Sequence, residues 1–217
     1  MTKKENRSRE RWYMESYEDF VNYFKDIKQN HLARKDIVLG IAMAYSWLGR
    51  IPQTSEVTEE EVKLVNDLIA SFNEDKFNEL KGIIDEELKE KIDKKLKGKI
   101  DNSTIAISKL LHFIAPEKYP LWDGNVCDAY NEIKNVRHYN ANDTSYYFTY
   151  IAWCKEEIKK EKEFEEKRKK VEKYINDKFG GKYRIENYSK LRIIDLYMWK
   201  KGKKGEGEEA KKKKVKR

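Results

Sequence analysis

Long apolar runs are absent from this chain of 217 residues. No stretch reaches the roughly 18 consecutive apolar residues needed to cross a bilayer, and the opening MTKKENRSRERW lacks the apolar core of a secretory leader. The expectation is a cytoplasmic protein with no membrane partner. Cysteine is scarce: Cys127 and Cys154 lie far apart, with no His or Cys companion at zinc-ligand spacing. That excludes a disulfide framework and a zinc finger, and both are read as buried thiols; no metal and no cofactor are expected. Proline occurs only at 52, 116 and 120, so little interrupts helical periodicity.

What the chain has in abundance is charge, 40% of residues against 39% hydrophobic, with five Trp, 14 Tyr and eight Phe. A core built from so few apolar residues must draw much of its area from aromatic rings. The net charge of +8 is unevenly placed. Residues 200–217, KKGKKGEGEEAKKKKVKR, carry ten Lys/Arg against three Glu, and residues 1–11 carry five against two, which leaves 12–199 at −2. The positive charge therefore sits at two ends able to grip phosphates without regard to base sequence. We divide the chain into a basic flexible stretch at 1–11, a helical body at 12–202 and a basic disordered tail at 203–217.

Helical spacing fills the body, and the fold class is all-α. "SYEDFVNYFKDI" places Phe20, Tyr23, Phe24 and Ile27 on one stripe behind Ser16 as N-cap. "DIVLGIAMAYSWLG" is apolar nearly all round, which predicts a central buried helix closed by Gly49. Thr58 with Glu61 forms a capping box for the next helix. A helix over Glu74–Leu96 ends near Gly98, and "DNST" restarts the chain for a helix through Ile114. Asp123 and Asp143 or Thr144 head two more. The Lys/Glu-rich run from Lys155 to Lys178 predicts one long exposed helix, Gly180 and Gly181 a reversal, and "KLRIIDLYMWKKGK" a last amphipathic helix.

The stretch "SKLLHFIAPEKYPLWDGNV", residues 108–126, reads differently from its surroundings. Ile107, Leu110, Leu111 and Ile114 define a core-facing side, and Ile105, Lys109 and His112 fall together on another. Lys109 thus issues from the boundary of a buried helix, where partial desolvation lowers an amine's pKa and leaves a fraction nucleophilic. After the proline-bounded turn, Asp123 heads a helix, where a carboxylate accepts backbone N–H groups and gains from the dipole. With Trp122 shielding one side, it is placed to stabilise a developing cation or orient a nucleophile. Asn102 and Ser103, caps in their own right, are also candidate contacts to a backbone phosphate, as are Lys211, Lys212, Lys213 and Lys214 in the tail.

The order of a lysine helix, a proline turn and "YPLWDGNV" resembles the core of the helix-hairpin-helix DNA glycosylases, in particular those of the 8-oxoguanine-glycosylase-like fold. "GIAMAYSWLG" and "KLRIIDLYMWKKGK" are similar to an early buried helix and a late helix of that fold. The resemblance implies a two-lobed helical bundle, expected to be a monomer, that binds duplex DNA carrying a damaged base and turns that base into a pocket. It also implies Lys109 as the amine that attacks C1′ of the sugar and Asp123 as the carboxylate that assists it, followed by β-elimination. Trp47, His112, Trp122 and Asn125 are the candidate residues around the base. The stretch KGKIDNST before Lys109 has one glycine, where the family carries a glycine-rich hairpin. The alternative reading is a helical module that binds nucleic acid or protein without catalysis.

Overall fold

The computed structural model describes the backbone of residues 3–27, 32–49, 51, 57–71, 86–100, 103–136 and 140–215, with side chains for 10–27, 32–49, 51, 57–70, 89–98, 100, 103–136 and 140–203. The described residues are all helix, turn and irregular chain, without a strand. They fall into two units, Met1–Tyr119 and Pro120–Arg217.

In the first unit, α1 (Lys3–Lys25) is followed by α2 (Arg34–Leu48), α3 (Glu59–Ser71), a short α4 (Glu86–Lys91) and α5 (Thr104–Ile114). Ser16 does not cap α1, because the helix is already running there. No glycine or proline stands between Lys3 and Ser16 to stop it, and Glu10 and Met14 are buried. Ser16 Oγ instead donates to the carbonyl of Trp12 four residues back, at 2.6 Å. Thr58 and Glu61 do form the box: Thr58 N–H donates to Glu61 Oε2 at 2.7 Å, and Thr58 Oγ1 accepts from Glu60 N–H at 3.3 Å.

α2 is less enclosed than its composition suggests. Asp36, Ile37, Gly40, Ile41, Ala44, Tyr45 and Trp47 are buried, yet Val38 and Leu39 are exposed. It packs against α1, α3 and α5. Gly49 closes it in the left-handed region at φ 66°, donating to Tyr45 O at 3.0 Å. Of the helix expected over Glu74–Leu96, residues 74–85 lie outside the described residues. α4 passes into a wide π turn at Ile92–Leu96 and a 3₁₀ turn at Lys97–Lys99. Ile92 and Leu96 are both buried, while Lys95 pairs with Glu60 at 2.9 Å and Lys94 with Glu90. These are exposed pairs, worth little individually.

The second unit contains α6 (Gly124–Lys134), α7 (Thr144–Lys159), α8 (Glu161–Phe179) and α9 (Lys190–Val215). α9 packs on α6, α7 and α8, with Leu191, Ile193, Ile194, Leu196 and Met198 buried. Asp143 caps α7, its Oδ1 accepting Tyr146 N–H at 3.2 Å. The single Lys/Glu helix expected from Lys155 to Lys178 is in fact two, broken at Lys160, whose ψ of 76° is not helical. The break lets the largely buried Glu157 meet both Lys160 (2.7 Å) and Lys167 (2.8 Å). Gly180 and Gly181, at φ 64° and 73°, supply the expected reversal. Helical backbone continues through Val215, past the position where an irregular tail was expected to begin.

Candidate functional site

The helix bearing Lys109 starts where the sequence says it should. Ser103 takes an extended backbone and its Oγ accepts Ala106 N–H at 3.2 Å. What differs is the burial. Thr104 and Ala106 through Ile114 are all buried, so α5 has no polar boundary and Ile105 alone of its residues is half-exposed. Lys109 is 5% exposed and His112 0%. Lys109 is therefore a buried amine in a buried helix, not one at a solvent edge. The three-residue grouping with Ile105 reflects helix geometry but does not reveal that this side is covered.

His112 uses both ring nitrogens within the fold. Nδ1 lies 2.6 Å from the carbonyl of Tyr119 and Nε2 lies 3.0 Å from the hydroxyl of Tyr17. A carbonyl only accepts, so Nδ1 carries the proton and Nε2 accepts from Tyr17. This is a packed histidine that fixes the end of the turn to α5. The same turn is tied to the end of α3: Tyr119 Oη donates to Leu68 O at 2.8 Å, and Lys118 Nζ donates to Ile69 O at 2.5 Å. Both carbonyls belong to the last helical turn, whose acceptors lack partners within the helix.

Trp47 is also a core residue. Its indole N–H donates to Ser16 Oγ at 2.8 Å, and its ring meets Tyr13 and Phe113, each at 5.0 Å between centroids. Tyr45 is 1% exposed. Neither ring has a face open for stacking on a base.

Beyond Tyr119 the chain enters the second unit, and the three residues before Asp123 are held from three directions. Tyr147 Oη donates to Pro120 O at 2.9 Å. Leu121 N–H donates to Asp195 Oδ2 at 2.8 Å. Trp122 Nε1 donates to Ala141 O at 2.7 Å. Trp122 is fully buried and ringed by Tyr150 (4.9 Å), Tyr146 (5.8 Å), Tyr147 (6.1 Å) and Tyr130 (6.3 Å). It anchors the turn instead of presenting a surface to a ligand.

Asp123 follows with an extended backbone, φ −153° and ψ −178°, and its Oδ1 accepts Val126 N–H at 2.9 Å. The residue is half-exposed. Among the described residues its other oxygen, Oδ2, makes no hydrogen bond. Asn125, half-exposed in the first turn of α6, is approached by α9 at Gly202, where a built Cβ would stand 2.0 Å from the Asn125 carbonyl oxygen. Ser103 is accounted for as a cap. Asn102 and the side chains of Lys211, Lys212, Lys213 and Lys214 lie outside the described residues.

Asp195 is the residue that motif reading passed over. It is 1% exposed, on α9. Burial pushes its carboxyl well above the usual carboxylate range; Arg192 and the Leu121 N–H oppose the shift and the negative charge of Asp123 adds to it. The nearby Tyr150 and Cys154, both buried, are pushed up as well, chiefly by desolvation. Burial, with Asp128 next, raises Cys127 to about 12. A signal was available in "RIIDLYM", where an acid sits inside an apolar run. Both cysteines are buried free thiols, and among the described residues no group of three or more His, Cys, Asp or Glu is arranged to hold a metal. No described helix is long and apolar enough to cross a membrane.

Compared with protein-family models, curated proteins and solved structures, the chain has no significant match.

Proposed function

We propose that this protein is a DNA glycosylase of the helix-hairpin-helix kind, acting on duplex DNA with a damaged base, an oxidised purine such as 8-oxoguanine being the expected substrate. The observation that carries the reading is the state of Asp123. Its carboxylate has one oxygen committed to the cap of α6 and the other uncommitted among the described residues, on a half-exposed residue behind a turn pinned by buried hydrogen bonds. A rigid, solvent-facing carboxylate suits the stabilisation of an oxocarbenium-like sugar as the base departs.

Lys109 supports one version of the chemistry. Its neutral amine would attack C1′, the base would leave with the bonding pair, and loss of a proton at C2′ would allow β-elimination of the 3′ phosphate from the Schiff base. At 5% exposure the amine meets the sugar only if binding uncovers α5. Asp123 needs no such opening, which favours a second version: Asp123 directs water to C1′ and no covalent intermediate forms. The basic run at 200–217 would hold the phosphates in either case. The same run is the feature favouring a non-catalytic nucleic-acid- or protein-binding module.

Borohydride trapping on duplexes carrying 8-oxoguanine, uracil or an abasic site separates these readings. A trapped adduct lost in Lys109→Gln identifies the Schiff-base enzyme. Base release without trapping, lost in Asp123→Asn, identifies the water-using one. No base release from a broad lesion panel, with salt-sensitive binding that vanishes when residues 200–217 are removed, overturns the enzyme in favour of the module.

A further inference from the structure

We infer that Asp195 is a positioning residue for Asp123: its buried carboxyl fixes the peptide of Leu121, and through it the height and direction from which Asp123 enters the cap of α6. For its catalytic consequence this rests on the glycosylase reading; its structural content does not. Asp195 Oδ2 accepts the Leu121 N–H at 2.8 Å, and Tyr150 Oη lies 3.4 Å from Oδ1. Only Trp122 stands between Leu121 and the capping residue Asp123. The chain between them has little freedom left, because Pro120 O is held by Tyr147 and the Trp122 ring is enclosed by tyrosines.

An acid is a poor choice for a site whose sole need is packing. Burying a carboxyl opposes folding unless it is hydrogen-bonded, and an apolar residue of similar size would avoid that penalty. A helix side chain is also a fixed reference, since α9 is anchored along Leu191, Ile194 and Met198. The Leu121 amide, in irregular chain, has no ladder partner of its own and takes one from this helix. The last helix thus sets the register of a functional turn located some seventy residues earlier in sequence.

The test compares Asp195→Ala with Asp195→Asn in the full chain, since asparagine keeps a carbonyl oxygen to accept the Leu121 N–H. In Asp195→Ala, amide hydrogen exchange at Leu121 and Val126 is expected to speed up by about tenfold or more, with Asn restoring it to within about threefold of wild type. Base release should follow the same split, kcat falling by about tenfold or more in Ala while KM stays within about twofold, and recovering in Asn. If Ala does not fold, Asp195→Leu, which keeps the volume and removes the acceptor of the Leu121 N–H, should accelerate exchange at Leu121 and Val126 in the same way. Unchanged protection at both amides in Ala, or in Leu where Ala cannot be made, overturns the inference. A wild-type chain that releases no base overturns the glycosylase reading alone, because the exchange measurement is unaffected by it.

Discussion

Replacing Gly202 by alanine tests the seam on which the candidate site depends. Gly202 lies on α9, and a Cβ there would sit 2.0 Å from the carbonyl oxygen of Asn125, 2.7 Å from its carbon and 3.0 Å from its Cα. All three atoms are backbone, so no rotamer change relieves the clash. The first turn of α6 must withdraw by about 1 Å before the contact is tolerable, and overpacking of one methyl against a rigid neighbour costs about 1–3 kcal/mol. The upper half of that range applies here, since a helix and not a side chain has to move. Against this, alanine gains about 1 kcal/mol over glycine in a helix interior. The net expectation is a loss of about 1–2 kcal/mol, or about 2–8 °C in Tm for a chain of this size. Differential scanning calorimetry provides the measurement. Gly124→Ala is the control, because a Cβ at that position meets nothing within 4 Å; it should be neutral or raise Tm slightly. A Gly202→Ala protein as stable as wild type, or more so, would refute the close approach of α9 to α6 and with it the account of how the Asp123 cap is supported.

Two further outcomes follow from buried groups. Asp195 holds its proton in the folded chain to a higher pH than in the unfolded chain, where it titrates near 3.9. The folded state therefore binds more protons above about pH 4, and wild-type stability should fall with rising pH by at most about 1.4 kcal/mol per pH unit from this group. Asp195→Asn removes that dependence, so its stability relative to wild type should rise from pH 4.5 to 7.5 in urea unfolding; a constant difference between the two proteins would contradict the assignment. His112→Leu removes the partners of Tyr119 O and of Tyr17 Oη at a site with 0% exposure. A loss of about 1–3 kcal/mol, seen as a shift in urea midpoint without a change in slope, is expected. No shift at all would mean that the tie between α5 and the turn carries no weight.

The sequence by itself determined the places where helices begin and end, because those signals are local. Thr58, Ser103, Asp123 and Asp143 each bond a backbone N–H two or three residues on, and Gly49 and Gly180 supply a left-handed residue at helix ends; such choices involve only near neighbours in the chain. They were sufficient to set the all-α class and to put Asp123 at the head of α6. Tertiary structure decided what is covered. Periodicity grouped Lys109 with His112 and Ile105, but whether that side of α5 faces solvent depends on what packs there, and it is buried. Val38 and Leu39 show the reverse case, apolar residues left exposed on a helix that is apolar nearly all round. Asp195 and Gly202 took on their roles only when α9 came to rest beside residues 121 and 125. Contacts between residues so distant in sequence leave no periodic trace, since they are chosen by shape and by the need of each buried polar group for a partner.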